Sequence, residues 1–387
     1  MIRRIFNIAA RETGIMARTP IYLFSMVIFP IIVVIFFTSL LGEGQPGNMP
    51  CGVVDNDKTT VSRALIRQLD AFQNTKVTTH FNNPNEARRA IQRNEIYGFL
   101  YIPNGTTEKL VSGRQPTVSF YYSNVTLLAG SMLFKDLKTI TTLGSAAMGQ
   151  AKLQMLGKTD KEIKATLQPI VIDAHMPENP YMNYNIYLTN VMVPGIFILF
   201  ILLITAYSIG TELKFDRSRE WMQMAGKNIF VALTGKVLPQ FLIFFTVFTS
   251  YEWYIYGHLG FPHPGGLPII FLLGILIVIS SQGLGIFFFG LMPSLRLSMS
   301  VCSLWAVVGF SAAGATYPTF AMDPMIEAVA ELIPLRHYYM IQQMTIFHGY
   351  PLINAWWNFS VLTLFTLLPL LTARNIRKAM LEYVYIP

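Results

Sequence analysis

The sequence predicts an α-helical polytopic membrane protein with six transmembrane helices and an inserted α/β extracytoplasmic domain. Three observations support this prediction: the composition, six long apolar runs, and one long polar stretch between the first two runs. Of the 387 residues, 52% are hydrophobic and only 13% are charged, whereas soluble domains carry about 25% charged residues. A soluble fold of this length could not cover that much apolar surface.

Each apolar run contains about 20 residues, the length needed to cross a hydrocarbon core of roughly 30 Å. We expect the transmembrane helices at Ile21–Leu41, Ile186–Gly210, Val237–Tyr256, Leu267–Leu291, Leu297–Tyr317 and Leu352–Ala373. The first run is longer than the apolar part of a signal peptide, and Leu41-Gly42-Glu43 offers no cleavage site made of small residues. It is therefore expected to remain as a membrane anchor.

The distribution of charge predicts the orientation. Lys and Arg are concentrated before the first run, after the second and after the sixth, whereas the loop Gly257–Gly266 contains neither. Because short cytoplasmic loops are enriched in Lys and Arg, both termini are expected in the cytoplasm. Residues 1–20 then form a cytoplasmic amphipathic helix, residues 318–351 an outer re-entrant region, and residues 374–387 a cytoplasmic C-terminus.

The stretch 42–185 has the composition of a soluble domain, with 15 Lys and Arg against 12 Asp and Glu. Long domains cross the membrane whatever their charge, so this balance is compatible with an extracytoplasmic position. The apolar pattern predicts a β-α-β-α-β order, followed by a strand and a long helix. The expected strands are Cys51–Val54, Lys76–Phe81, Ile96–Ile102 and Thr117–Tyr122, and the expected helices are Asp57–Phe72, Pro84–Arg93 and Thr126–Gln154.

Few side chains offer catalytic or metal chemistry. The two cysteines are too few for a disulfide framework or a cysteine metal site. In the outer loop after the third run, His258 and His263 lack a carboxylate at metal-ligand spacing. Gly157-Lys158-Thr159 is not a phosphate-binding loop, because Lys152 stands where such a loop needs glycine. We therefore expect no catalytic residue, no cofactor and no metal, and the dispersed charge of +8 does not indicate nucleic acid.

Three polar side chains within the apolar runs are candidates for lining a transport pathway. They are Gln240 and Glu252 in the third run and Gln282 in the fourth. Polar groups inside a membrane are costly and often mark a substrate path. Glu252 is flanked by Tyr251 and Trp253, so it is equally compatible with the membrane interface.

Several short motifs occur in the order typical of one transporter family. They are Arg11-Glu12 with Arg18-Thr19-Pro20 and Pro30, Val53–Asp57 with Ser62 and Leu65, Glu86-Ala87 with Gly98–Pro103, Tyr184 with Val193-Pro194-Gly195, and Tyr317-Pro318 with Glu331–His337. With these motifs and this topology, the chain resembles ABC-2-type transporter permeases over nearly its whole length. It is most similar to the subclass with a large extracytoplasmic domain between the first and second transmembrane helices.

The resemblance also covers the cytoplasmic loop 211–236. Counted back from Gly235-Lys236, the family pattern G-T-L-E-q-L places its acidic position on Glu220 and an apolar position on Met222, although its Gly-Thr start is absent. In the family, this loop docks into a separate ATP-binding subunit. The resemblance therefore implies that the contact is made by Glu212, Arg217, Arg219, Glu220, Trp221, Met222 and Met224.

Two interpretations of this loop remain open. Trp221, Met222 and Met224 could form an apolar anchor for the ATP-binding subunit, with a charged rim around them. Alternatively, the same basic and aromatic residues suit an amphipathic helix that rests on anionic lipid.

The resemblance implies a permease subunit of an ATP-driven exporter in the bacterial inner membrane. It would pair with a second copy or a paralogous permease and bind separate ATP-binding subunits and membrane lipid. The outer domain could also hand cargo to a periplasmic adaptor. The lack of a charged intramembrane pocket favours a hydrophobic or amphipathic substrate such as a drug, a lipid or a lipid-linked molecule. The alternative is a membrane receptor or secretion scaffold whose outer domain binds a ligand and which has no ATPase partner.

Overall fold

The computed structural model describes residues 1–171, 173, 175 and 178–383. Its contacts divide the chain into two compact units. The first, here called the membrane unit, comprises Met1–Gly44 and Met176–Pro387, and the second, the α/β unit, comprises Gln45–His175. The polar stretch between the first two apolar runs thus forms a compact unit of its own.

The helices and strands follow one another in this order. The helices are α1 (Ile2–Arg18), α2 (Pro20–Leu23), α3 (Phe29–Leu40), α4 (Thr60–Asp70), α5 (Pro84–Gln92), α6 (Thr106–Val111), α7 (Leu127–Met155), α8 (Asp160–Leu167), α9 (Asn190–Lys214), α10 (Ser218–Met224), α11 (Ile229–Glu252), α12 (Leu267–Leu291), α13 (Leu295–Ala312), α14 (Pro324–Ala330), α15 (Pro334–Ile341), α16 (Trp356–Leu367) and α17 (Pro369–Glu382). The strands are β1 (Met49–Asp55), β2 (Thr75–His80), β3 (Gly98–Ile102) and β4 (Ser119–Tyr122). Short π-helical turns extend several of the membrane helices.

Six helices in the described part of the chain are long and apolar enough to cross a membrane, as the sequence predicts. These spans are Pro20–Leu40, Asn185–Lys214, Ile229–His258, Leu267–Leu291, Leu295–Ala312 and Leu352–Glu382. The sixth contains α16 and α17, which meet at Pro369. The chain is therefore a mostly helical, multi-pass membrane protein that also contains a small sheet.

The third span begins eight residues before the predicted Val237. Asn228 caps α11, and its side chain accepts hydrogen bonds from the amides of Phe230 and Val231. Lys236, which the sequence suggests as the end of a loop, is a buried residue inside this helix. The helix can include it because acidic side chains neutralise its charge, as described below.

Close helix contacts in the membrane unit depend on glycines. A methyl group at Gly283 would collide with the carbonyl oxygen of Phe365, and one at Gly290 with the side chain of Thr372. Small residues let helix backbones approach closely where lipid provides little hydrophobic drive for association. The fourth and sixth spans are therefore packed backbone to backbone.

The α/β unit contains a four-stranded sheet in the order β2-β1-β3-β4. The strand β1 pairs in parallel with β2 and β3, whereas β4 is antiparallel to β3. Residues of β1 alternate between two cores: Cys51 and Val53 pack with residues of α4 and α7, while Val54 packs with α5. The predicted β-α-β-α-β order is present, and each face of the sheet is covered by helices, as parallel strands require.

One buried carboxyl connects a helix to the edge strand of this sheet. Thr75 Oγ1 in β2 donates a hydrogen bond of 2.8 Å to Asp136 in α7. Burial raises the pKa of Asp136 above the usual range of a carboxyl, although the hydrogen bond from Thr75 opposes the effect. Such a group contributes stability below its unfolded-state pKa and loses it as the pH rises through the folded-state pKa.

The variant D136N is therefore expected to be more stable than the wild type at about pH 8, by about 1 kcal/mol. The difference should shrink as the pH falls and disappear below about pH 3, where the wild-type carboxyl is protonated in both states. Thermal unfolding of the full chain across this range measures the effect. E95Q, at an exposed position of the same unit, is the control. An equal change in stability in D136N and E95Q would contradict the conclusion that burial of Asp136 causes the effect.

Candidate functional site

The predicted coupling loop folds as the short helix α10 between α9 and α11. Trp221 and Met222 are 0% exposed and pack with Ile8 of α1, Leu233 of α11 and Ile376 of α17. The prediction that these two side chains offer an apolar anchor to another subunit is therefore wrong. These two side chains instead form part of a hydrophobic core inside the membrane unit.

A different set of side chains is accessible around α10. Phe215 is 56% exposed and Phe230 is 44% exposed, one on each side of the short helix. The charged neighbours Lys214, Arg219, Glu220 and Lys227 are also exposed, whereas Arg217 and Met224 are half-buried. We call Lys214, Phe215, Arg219, Glu220, Lys227 and Phe230 the loop surface.

Beneath the loop surface lies a cluster of buried ionic side chains, which we call the charge network. Glu212 accepts two hydrogen bonds from the Arg11 guanidinium, at 2.9 and 3.0 Å. Lys236 Nζ lies 2.8 Å from Glu212 and 2.6 Å from Glu12. Two cations thus face two carboxylates, and the cluster as a whole is neutral.

The charge network joins three helices that are far apart in the sequence. Arg11 and Glu12 lie on α1, Glu212 on α9 and Lys236 on α11. Lys236 is 1% exposed, and its Nζ lies 5.2 Å from the centroid of the Trp221 ring on α10. Removing one partner from such a buried cluster leaves an uncompensated charge in a place without water.

Of the residues in the charge network, the sequence identified only Glu212 as a site residue. In the sequence, Arg11, Glu12 and Lys236 contribute only to the charge distribution that predicts the orientation or to the family motifs. A detectable signal existed: Glu12 and Lys236 each lie among apolar residues at helical spacing, where an unpaired charge would be expensive. The identity of the partners follows only from the packing of α1 on α11.

This packing depends on Gly235. A methyl group added there would lie 2.7 Å from Ile8 Cβ and 2.9 Å from the carbonyl oxygen of Ile5. The N-terminal helix, expected to lie flat on the membrane, thus has one face against α11, while Ile2 and Phe6 remain exposed.

G235A is therefore expected to destabilise the chain by about 1–3 kcal/mol, because α1 must move away from α11. G14A is a matched control on α1, since no atom lies within 4 Å of the added methyl. It should leave stability unchanged or raise it slightly through helix propensity. Unfolding by a denaturing detergent in mixed micelles measures both. Equal effects of the two variants would show that α1 does not contact α11 closely.

The three predicted pathway residues do not form one cluster. Gln240 donates to Glu12 at 3.4 Å and so belongs beside the charge network. Gln282 on α12 donates to the carbonyl oxygen of Val237 at 3.2 Å, which connects two spans. Glu252 lies twelve residues beyond Gln240 on the same helix, about 18 Å away at 1.5 Å per residue.

Glu252 is the most unusual of the three. It is 2% exposed, and neither carboxylate oxygen has a hydrogen-bond partner among the described residues. Its Oε2 lies 3.2 Å from the point that a methyl on Gly274 would occupy.

Other polar groups connect the helices in this region. Gln342 Nε2 donates to Asn190 Oδ1 and to the Tyr256 hydroxyl, both at 3.0 Å. The side-chain oxygen of Gln342 has no partner among the described residues. Among the described residues, two buried polar regions thus lie at opposite ends of α11: the charge network at one end and this second region, with Glu252, at the other.

No three His, Cys, Asp or Glu side chains in the described part of the chain lie close enough together to hold a metal ion. His337, which is buried, instead contacts Asn358 Oδ1 at 2.9 Å and the carbonyl oxygen of Glu331 at 2.8 Å. Both ring nitrogens are used in packing contacts of the helices α15 and α16.

The architecture agrees with a comparison against protein families. The model of the family described as ABC-2 family transporter protein matches residues 20–374. A comparison with curated proteins found no matching protein. The family model extends from the first span into the last and includes α10 and two of the four residues of the charge network, Glu212 and Lys236. The chain therefore belongs to the ABC-2 transporter family and is a membrane-spanning permease component of an ABC transporter.

Proposed function

We propose that the chain is the permease subunit of an exporter whose ATP-binding subunit docks on the loop surface. The observation that supports this most directly is the charge network, because it lies immediately beneath that surface. Phe215 and Phe230 would enter apolar pockets of the partner, and Arg219, Glu220 and Lys227 would form the charged rim. The apolar anchor is thus assigned to two phenylalanines instead of Trp221 and Met222.

The packing of α10 suits the transmission of movement. Trp221 and Met222 share one core with residues of the second, third, fourth and sixth spans and of α1. Side chains in such a close-packed core cannot shift singly, so a displacement of α10 would move the ends of these spans together. Arg11 also lies 4.0 Å from Glu220, which connects the charge network to the loop surface.

The orientation follows from the charge distribution. With the loop surface in the cytoplasm of a bacterial cell, both termini are also cytoplasmic and the α/β unit lies outside the inner membrane. The exporter would contain two permease subunits, either two copies of this chain or this chain and a paralogue. The α/β unit is then placed to meet a periplasmic adaptor.

The cargo is proposed to be hydrophobic or amphipathic. The spans carry few ionisable side chains, and the buried ones near α10 are neutralised within the charge network. Glu252 remains the best candidate for a pathway residue, since its carboxylate is free of protein partners in the described structure. Gln240 and Gln282 are better assigned to helix packing because each already contacts a neighbouring helix.

Co-purification from native membranes in mild detergent tests the docking proposal. The wild-type chain should retain an ATP-binding subunit, and the double variant F215S/R219E should lose it. R377E is the matched control, because it reverses a charge at another exposed position on the same proposed side of the membrane. It should retain the subunit.

A wild-type chain that purifies without any ATPase, even after mild cross-linking, would favour the receptor or scaffold interpretation. Retention of the ATPase by F215S/R219E would contradict the assigned surface but not the permease function. Loss of the ATPase by R377E as well would show that charge alone governs the contact.

Replacement of Glu252 should separate stability from transport. Because its buried carboxylate lacks partners, E252M is expected to be more stable than the wild type by roughly 1–3 kcal/mol. In vesicles containing the whole transporter, E252M should lose export of a fluorescent amphipathic dye that the wild type exports. Thermal unfolding and dye efflux measure the two effects. Destabilisation with unchanged efflux would show that Glu252 serves packing alone.

A further inference from the structure

The α/β unit contains a cleft at the carboxyl ends of two parallel strands. The cleft has a volume of about 480 Å³, within the usual range of small-molecule sites. Its walls come from the loop after β1, from α4 and from the loop after β2. Ligands of open α/β sheets bind beyond the carboxyl ends of the strands, so the position itself suits a binding site.

Three basic side chains line this cleft. They are Lys58 in the loop after β1, and Arg63 and Arg67 in α4. The two arginines are four residues apart, so they project from the same face of the helix. None of the three forms an ion pair with any residue that the structure describes, and Arg63 contacts only the carbonyl oxygen of Lys58, at 3.4 Å.

The acidic residue in the cleft forms no ion pair with these basic side chains in the described structure. Asp55 Oδ1 accepts hydrogen bonds from the amides of Asp57 and Lys58, and its Oδ2 accepts one from Ser62 Oγ. Asp57 in turn is held by Thr59 and Thr107. Both carboxylates thus shape the loop after β1, and the basic groups remain available.

Two arginines at this spacing would repel each other on a helix without a ligand. Their planar guanidinium groups match the oxygens of a phosphate, which they bind through paired hydrogen bonds. We propose that this cleft binds a phosphate group, held by Arg63, Arg67 and Lys58, with the polar side chains of Asn56, His80 and Asn82 around it. The phosphate could be free inorganic phosphate or the headgroup of a phospholipid.

Titration calorimetry on the purified full chain tests the proposal with two probes, inorganic phosphate and a short-chain, water-soluble phosphatidic acid. Both should bind the wild type, and R63Q/R67Q should weaken binding about tenfold or more. R63K/R67K, which keeps the charge without the planar groups, should have intermediate affinity. R114Q removes a charge outside the cleft and should bind like the wild type.

The two probes distinguish a site for free phosphate from a site for a lipid headgroup. Much tighter binding of the phosphatidic acid would identify a lipid headgroup site, and equal affinities would identify a site for free phosphate. Absence of binding by both probes would overturn the proposal, as would equal loss of binding in R114Q and R63Q/R67Q. Preferential binding of a dicarboxylate such as succinate over both probes would also overturn it. Far-ultraviolet circular dichroism establishes that every variant is folded.

Discussion

K236M is expected to lower the free energy of unfolding by about 3–5 kcal/mol. The substitution removes the cation that lies 2.6 Å from Glu12 and 2.8 Å from Glu212. Glu212 keeps Arg11 as a partner, but Glu12 is left with only the weak contact to Gln240. A buried carboxylate without a counter-ion is among the most destabilising features a core can contain.

The double variant K236M/E12Q distinguishes loss of charge balance from loss of the lysine itself. It removes one cation and one anion, so Arg11 and Glu212 remain as a neutral pair. We expect this variant to recover at least half of the stability lost in K236M, as measured by detergent-induced unfolding in mixed micelles. K214M, which removes an exposed lysine from the end of α9, should have little effect.

If K236M is as stable as the wild type, this result would contradict a stabilising role of the charge network. Equal instability of K236M and K236M/E12Q would instead mean that the lysine stem, and not its charge, supports the core. The cycle of single and double variants gives the interaction energy between Glu12 and Lys236 directly, because the two side chains are in contact.

Much of the fold could be predicted from the sequence because the bilayer imposes simple rules. Length and hydropathy identify a span, and the number of spans was predicted correctly. The boundaries differ at the start of the third span, which begins before Lys236, and at the end of the sixth, which extends past the predicted Ala373 to Glu382. At Lys236, a charge that hydropathy assigns to a loop is neutralised by Glu12, a residue 224 positions away in the chain. No local pattern contains that information.

The candidate site was only partly predictable for a related reason. The sequence singles out the segment between the second and third spans, but an aromatic residue in such a segment can face either a partner or its own core. Trp221 faces inward because Lys236 and α1 lie beside it, while Phe215 at the end of α9 faces outward. The choice between these orientations depends on tertiary packing, which helical periodicity over seven residues does not determine.

Replacement of Trp221 and replacement of Phe215 are expected to affect stability very differently. W221A should destabilise the chain by about 3–5 kcal/mol, because it empties a fully buried position and exposes Lys236 to a cavity. F215S should change stability by no more than about 0.5 kcal/mol, because Phe215 is exposed at a surface position. In the assembled transporter, however, F215S should reduce retention of the ATP-binding subunit.

Unfolding measurements and co-purification on the same preparations make the comparison decisive. If W221A remains as stable as the wild type while losing the ATP-binding subunit, Trp221 is the docking residue after all and the inward packing is wrong. If F215S is destabilised as strongly as W221A, Phe215 belongs to the core. Only a stable F215S that loses the subunit, beside an unstable W221A, agrees with a rigid core below the loop surface. In that case the force from ATP hydrolysis enters through the phenylalanines and reaches the spans through Trp221 and the charge network.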